Sequence, residues 1–263
     1  MNLINLRISI KREVMNKWYW IVALLLVTAC NEKTIEPKAQ EIIDKSIAAS
    51  GGENYSTNDI SFRFRDIDYS AKGPVNKRIL KRSFVKDSMR ITDVRSPSGL
   101  QRVVNDSLVV LSDSMANVYA NSINSVHYFA YLPYGLNDAA ANKKYLGKVK
   151  IDSTTYHKVE VTFDKSGGGD DYDDIYVYWF DSITYKPAYL AYEFHINGGG
   201  QRFRKAFNER VVGGIRFVDY QNYKNTQLNH PIQSIDELYE GGALELLSEI
   251  KLEDISVNPG NYN

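Results

Sequence analysis

Apolar and polar residues alternate with a period of two along most of this chain. The densest stretch, residues 175–223, holds four short runs rich in Tyr, Phe, Val and Ile. Turn clusters at 181–187, 197–200 and 208–214 separate them. β-branched and aromatic runs bounded by Gly, Pro, Asn and Asp predict antiparallel strands joined as a meander. Earlier segments repeat the style. Residues 60–71 begin as a strict alternation, with Ile60, Phe62 and Phe64 on one face, then slip in phase to Ile67 and Tyr69, which predicts a bulge. Hairpins are expected around residues 86–88 and 105–107, and a strand over 156–163 with His157, Val159, Val161 and Phe163 on one face.

Helical periodicity is rare. Residues 39–50 place Ile42, Ile43 and Ile47 on one stripe, stopped by Gly51-Gly52, so a helix lying on a larger body is expected. Residues 125–136 are aromatic and uncharged. They read either as the cover of a cavity or as a packed core helix or corner. Asp138 is expected to cap a short helix to about residue 144, closed by Gly147. One further helical turn is expected at 234–239, then a last strand over 246–257. The fold class is therefore mainly β: a curved antiparallel sheet or incomplete barrel with an N-terminal helix and short covering helices. No period of 20–50 residues recurs, and residues 39–263 read as a single domain.

The N-terminus changes the picture. Residues 18–29 form an apolar run that is too short for a bilayer, where roughly 20 residues are needed. The run follows Lys17 and ends in small residues, the layout of a signal peptide over residues 1–29, with Met15 the expected start. Val27-Thr28-Ala29-Cys30 resembles the lipobox of bacterial lipoproteins. Cys30 is the single cysteine, so no internal disulfide can form, and lipidation explains its presence. Residues 30–38 read as the lipidated Cys and a polar tether.

Composition adds exclusions. Residues 1–29 carry Arg7, Lys11, Arg12, Lys17 and Glu13, so their removal leaves 28 basic against 31 acidic residues. That balance offers nucleic acid no basic face. The acidic loop over 166–174 lacks the spacing of an EF-hand, and a solvated hairpin loop is the better reading. The four histidines show no HExxH or Cys-His spacing, and no nucleophile elbow, P-loop or dinucleotide fingerprint is present. No cofactor, metal or catalytic residue is expected. A hydrolase would need distant His and carboxylate groups to converge, and charges on both faces of many strands argue against a membrane-spanning barrel.

Nineteen tyrosines suit half-buried sheets and amphipathic cavities alike. Phe62, Phe64, Tyr128, Phe129, Tyr131, Tyr134 and Trp179 are candidates to line an apolar cavity. Arg202, Arg204, Asn208 and Arg210 are candidates to bind a polar head group or a protein partner. Arg202 and Arg204 share one strand face and could grip a carboxylate or phosphate bidentately. The competing expectation is cross-strand pairing with Glu193, Glu209 or Asp219, or plain solvent exposure.

The helix IIDKSIAASGG, the strand ISFRFRDI, the segment YLGKVKIDSTTYHKVEVTF, and VYWFDSITYKPAYLAYEF followed by a pair ending VGGIRFVDYQNY together resemble the LolA/LolB/LppX group of periplasmic lipoprotein-handling and lipid-binding proteins. The last hairpin also resembles a family of uncharacterised bacterial lipoproteins. The first resemblance implies an incomplete barrel around an acyl-chain cavity, in a non-catalytic lipoprotein of the cell envelope. Its ligand would be a lipid or other apolar molecule. Cys30 would anchor it to a membrane, expected to be the outer membrane on its periplasmic side. The alternative is an envelope scaffold whose core is filled and which binds a protein partner.

Overall fold

Two-residue turns set the architecture of the computed structural model, which describes residues 38–166, 172–195, 198–227 and 230–262. Arg65-Asp66, Asp87-Ser88, Asn105-Asp106 and Gly213-Gly214 all have both residues at positive φ. Paired positive φ values match the twist of flanking strands and close tight hairpins. The first of these corrects the expected bulge. Strands β1 (Asn58–Phe64) and β2 (Ile67–Lys72) form a hairpin in which Phe64 faces Ile67. A two-residue turn shifts the alternation as a bulge does, and Arg65 in its first position hides it, since Arg rarely adopts positive φ.

The hairpins build two seven-stranded antiparallel sheets. The first continues with β3 (Ile79–Lys86), β4 (Met89–Ser96), β5 (Gly99–Val104) and β6 (Ser107–Val109). The second runs through β7 (Ala141–Ile151), β8 (Thr154–Phe163), β9 (Ile175–Asp181), β10 (Pro187–Phe194), β11 (Gly200–Val212), β12 (Ile215–Lys224) and β13 (Glu245–Ile250). The last strand expected over 246–257 is in fact two. After β13 the chain crosses at Lys251-Leu252, and β14 (Glu253–Pro259) pairs with β1 in the first sheet. The mainly β, open antiparallel architecture read from the sequence is the one observed.

Among the described residues four α-helices accompany the sheets: α1 (Ala39–Ser50), α2 (Asn54–Thr57), α3 (Asp113–Ala130) and α4 (Ile235–Glu240). Helix α1 buries Ile42 and Ile43 as expected. It ends at Gly51, whose φ of 144° disfavours any side chain and where a Cβ would crowd the Gly214 carbonyl at 3.2 Å. The long helix α3 was not foreseen at full length. Ser112 caps it, accepting from the Met115 amide at 3.3 Å. The helix expected at 138–144 is absent. Asp138 does accept from the Ala140 amide, but residues 141–151 pair with β8 as an edge strand. Lys143, Lys144, Lys148 and Lys150 on β7 suit a sheet edge that must resist further pairing.

The main core joins both sheets to α1 and α3. Ile60, Phe62 and Tyr69 of the first sheet share it with Val159, Tyr178, Leu190 and Phe217 of the second. The second sheet is also covered on its other face. There Trp179, Tyr189 and Phe203 pack against Ile232, Ile235 and Tyr239 around α4. A sheet buried on both sides needs near-continuous apolar strands, which is why residues 175–180 read as one run. Helix α3 is fixed to the first sheet through a buried ion cluster. Asp93 is 0% exposed and accepts from Arg82 and Arg102 at 2.7 and 2.6 Å. Arg82 also donates to Ser122 Oγ at 2.8 Å, and Arg102 lies 3.5 Å from the Tyr119 ring centroid. Removing one member of such a cluster costs about 3–5 kcal/mol, because the remaining charge stays buried.

Candidate functional site

Between helix α3 and the second sheet lies an open cavity of about 410 Å³ whose lining mixes aromatic and charged side chains. Parity along the strands decides which side chains reach it. Tyr176 and Tyr178 of β9, Leu190, Tyr192 and Phe194 of β10, and Arg202 and Arg204 of β11 all face the cavity. The register continues that face across strands, with Tyr192 opposite Tyr176 and Arg202 opposite Tyr192. Helix α3 closes the other side with Asn124, Ser125, Tyr128 and Phe129, and Leu132, Asp138, Phe163 and Asp174 complete the lining.

The aromatic wall is continuous. Tyr176 stacks on Tyr192 with centroids 5.7 Å apart, and Phe163 meets Tyr176 edge-on at 5.7 Å. Tyr128 meets Phe163 edge-on at 6.1 Å. Burial pushes the hydroxyls of Tyr128 and Tyr178 well above the ordinary tyrosine range. Both therefore stay protonated, and the Tyr128 hydroxyl is buried without a hydrogen-bond partner.

Of the aromatics read from the sequence, Tyr128 and Phe129 line the cavity. Phe62, Phe64, Tyr131 and Tyr134 do not; they pack behind its wall. Phe62 stacks on Tyr69 at 5.4 Å, Phe64 meets Phe129 edge-on at 5.3 Å, and Tyr134 stacks on Tyr55 at 4.9 Å. The Tyr131 hydroxyl is 2.9 Å from His127 Nδ1. Trp179 requires a larger correction. It points to the opposite face of β9, where its indole N–H donates to Asp236 at 3.3 Å beside the Lys158–Asp236 ion pair. Strand alternation puts Tyr178, not Trp179, on the cavity side.

The arginine group divides. Arg202 and Arg204 reach the cavity, whereas Asn208 and Arg210 are held away from it by Asp219, at 2.7 and 3.0 Å. Asn208 sits at a bulge between β11 and β12 with φ of 49°, not at a turn as expected. The acids proposed to neutralise the pair have other partners. Glu209 accepts from Lys186 and Arg216, Asp219 from Asn208 and Arg210, and Glu193 from Gln201.

The tertiary structure adds one group the spacing did not reveal. His195 Nδ1 lies 3.9 Å from Asp173 and 3.8 Å from Asp174, the one set among the described residues whose ligand atoms could share a cation. His195 is separated from both acids by more than twenty residues, so only the β9–β10 pairing brings them together. Residues 167–171 of the acidic loop, Asn197, the signal peptide and Cys30 lie outside the described residues. No helix among the described residues is long and apolar enough to cross a membrane.

Three solved structures illustrate what the chain is similar to. A LolA superfamily protein from Nitrosomonas europaea aligns over 87% of this chain and 96% of its own, with 13% identity and a TM-score of 0.49. The lipoprotein LppX of Mycobacterium tuberculosis aligns over 60% and 87%, with 12% identity and a TM-score of 0.28. A putative outer membrane lipoprotein-sorting protein domain from Vibrio parahaemolyticus aligns over 70% and 85%, with 9% identity and a TM-score of 0.32. The resemblance drawn from the sequence recurs here, but at this level of similarity it carries no argument about a ligand. No curated protein matches the chain. The model of a family of unknown function, DUF6503, matches residues 17–252, and the chain belongs to that family.

Proposed function

We propose that this protein is a cell-envelope lipoprotein that holds one lipid, acyl chain or other apolar molecule in the cavity beneath α3, without catalysis. The observation that carries the reading is an open, aromatic-walled space of about 410 Å³ left between a helix and a sheet that elsewhere pack tightly. An open cleft walled by aromatic faces leaves apolar surface in water, and an apolar ligand seated there would bury it. The volume falls within the roughly 300–1,000 Å³ of ligand pockets. A methylene takes about the ~30 Å³ of a liquid water, so the space suits a single chain of about a dozen carbons. Anchoring through Cys30, at the outer membrane facing the periplasm, would place this cargo site beside lipid.

The scaffold alternative loses support at the arginine hairpin. Arg210 and Arg216 are occupied by Asp219 and Glu209 of the same chain, and the two arginines of that hairpin without a carboxylate partner among the described residues, Arg202 and Arg204, line the cavity.

Native mass spectrometry of the full chain is the test. An adduct with the mass of a single-chain lipid is expected to co-purify. Ser125→Trp, an exposed position in the cavity lining, is expected to reduce that adduct at least tenfold without lowering the melting temperature. A bare mass, together with no uptake of an added fluorescent fatty acid, would overturn the reading.

A further inference from the structure

We infer that the cargo is a single-chain amphiphile with an anionic head group, received by the guanidinium groups of Arg202 and Arg204. The inference rests on the apolar-cargo reading above and specifies its chemistry.

The argument begins with two half-buried cations that have no anion. Among the described residues, neither Arg202 nor Arg204 is within ion-pairing distance of a carboxylate. Their partners are neutral. Arg204 donates to the Tyr192 hydroxyl at 3.0 Å and to the Asn222 side-chain oxygen at 3.4 Å, with its guanidinium over the rings of Tyr192 and Phe129. Arg202 donates to the Gln201 carbonyl at 3.0 Å and lies over the Phe194 ring. Most of their N–H donors remain unused. Ring faces hold the two planes in place and strip part of their water, which strengthens any charge they meet. A half-buried charge without a counter-charge is costly, and it persists where a ligand supplies the missing partner.

The neighbours support the assignment. Lys224, opposite Arg202 across the β11–β12 register, is neutralised by Glu245 at 3.0 Å, so it does not compete for an anion. Asp138, also in the lining, is engaged by the Ala140 amide, and Asp174 faces His195 at 3.8 Å. Two guanidiniums on alternate residues of one strand suit a planar carboxylate or a phosphate. A cavity of about 410 Å³ admits one chain and not the paired chains of a phospholipid.

The experiment measures binding of dodecanoate, dodecyl phosphate and dodecanol to the full chain at pH 7.5, by competition with a fluorescent fatty acid. At least one of the two anions is expected to bind at least tenfold tighter than the alcohol. In Arg202→Gln/Arg204→Gln the ratio of anion to dodecanol affinity should fall to within about twofold of one. Should the double variant unfold, Arg202→Gln alone is expected to lose at least threefold of the preference. Dodecanol binding as tightly as both anions, or a preference that survives the substitutions, would overturn the inference. If none of the three binds, the apolar-cargo reading itself fails.

Discussion

Burial sets the chemistry of His127. Its ring lies edge-on to Phe62 and Tyr69 in the main core. Desolvation, helped by the charge of Arg78, lowers its pKa from 6.5 to about 3. An unfolded chain therefore binds a proton at this residue near pH 6.5, whereas the folded chain does not until about pH 3. Between those values the unfolded state holds more protons, so stability falls as pH falls, by up to about 1.4 kcal/mol per pH unit. His127→Leu is expected to remove that slope. In urea unfolding at pH 6.5 and 4.5, the native chain should lose about 2 kcal/mol more than the variant. The carboxylate of Asp93 acts in a lower window. Burial alone would raise its pKa, but hydrogen bonds from Arg102 and Arg82 outweigh that and lower it below 3.8. Its contribution is thus present above the unfolded value and lost only as pH falls through the folded one. At this scale the site was partly legible. Tyr128, Phe129, Arg202 and Arg204 announced themselves by type and spacing, while Trp179 was drawn to the wrong face by its size. Counting parity from Arg202 back through β10 would have selected Tyr178 and Tyr192.

Elements were legible wherever a turn carried its own chemistry. The Asp87-Ser88 and Asn105-Asp106 hairpins, α1 with its Gly-Gly stop, and the turn of helix at α4 all lie where the pattern placed them. The Arg65-Asp66 turn did not show, because Arg at its first position rarely adopts positive φ and no Gly or Asn marks the pair. Asp66 has φ of 54° and is fully exposed, its nearest cation Arg63 lying 3.7 Å away. Asp66→Gly is expected to change stability by no more than a few tenths of a kcal/mol, measured as a nearly unchanged urea midpoint, because Asp tolerates this conformation and Gly adds unfolded-state entropy. The opposite failure occurred at β7. Local propensity in Ala139–Lys144 favours helix, yet pairing with β8 wins, because sheet contacts outweigh the tenths of a kcal/mol that propensity supplies.

For the whole molecule, the cavity links stability to cargo. Anything that binds the folded chain and not the unfolded one stabilises it by mass action. Dodecanoate at 100 times its dissociation constant is expected to add about 2.7 kcal/mol to the unfolding free energy. Differential scanning calorimetry should show the melting temperature rising with ligand concentration in the native chain and staying flat in Ser125→Trp. The two-sheet arrangement makes such a cavity possible. The chain enters the first sheet, builds the second as a meander, then returns at Lys251-Leu252 so that β14 joins β1. Helix α3, held by the Arg82–Asp93–Arg102 cluster, stands off the second sheet far enough to leave space.

What the sequence determined by itself is local: the period of two, the strong turns, the N-terminal helix and the mainly β class. Each follows from sterics and patterning within a few residues, and each survives in the structure. What only the tertiary structure decided is non-local: the division of one meander into two sheets, the destination of β14, the length and position of α3, and which acids neutralise which arginines. Pairings between residues far apart in the chain depend on loop closure and on the sum of many contacts. No local pattern encodes them. That is why the composition could nominate Arg202 and Arg204, and only the fold could show that Glu193, Glu209 and Asp219 had other partners.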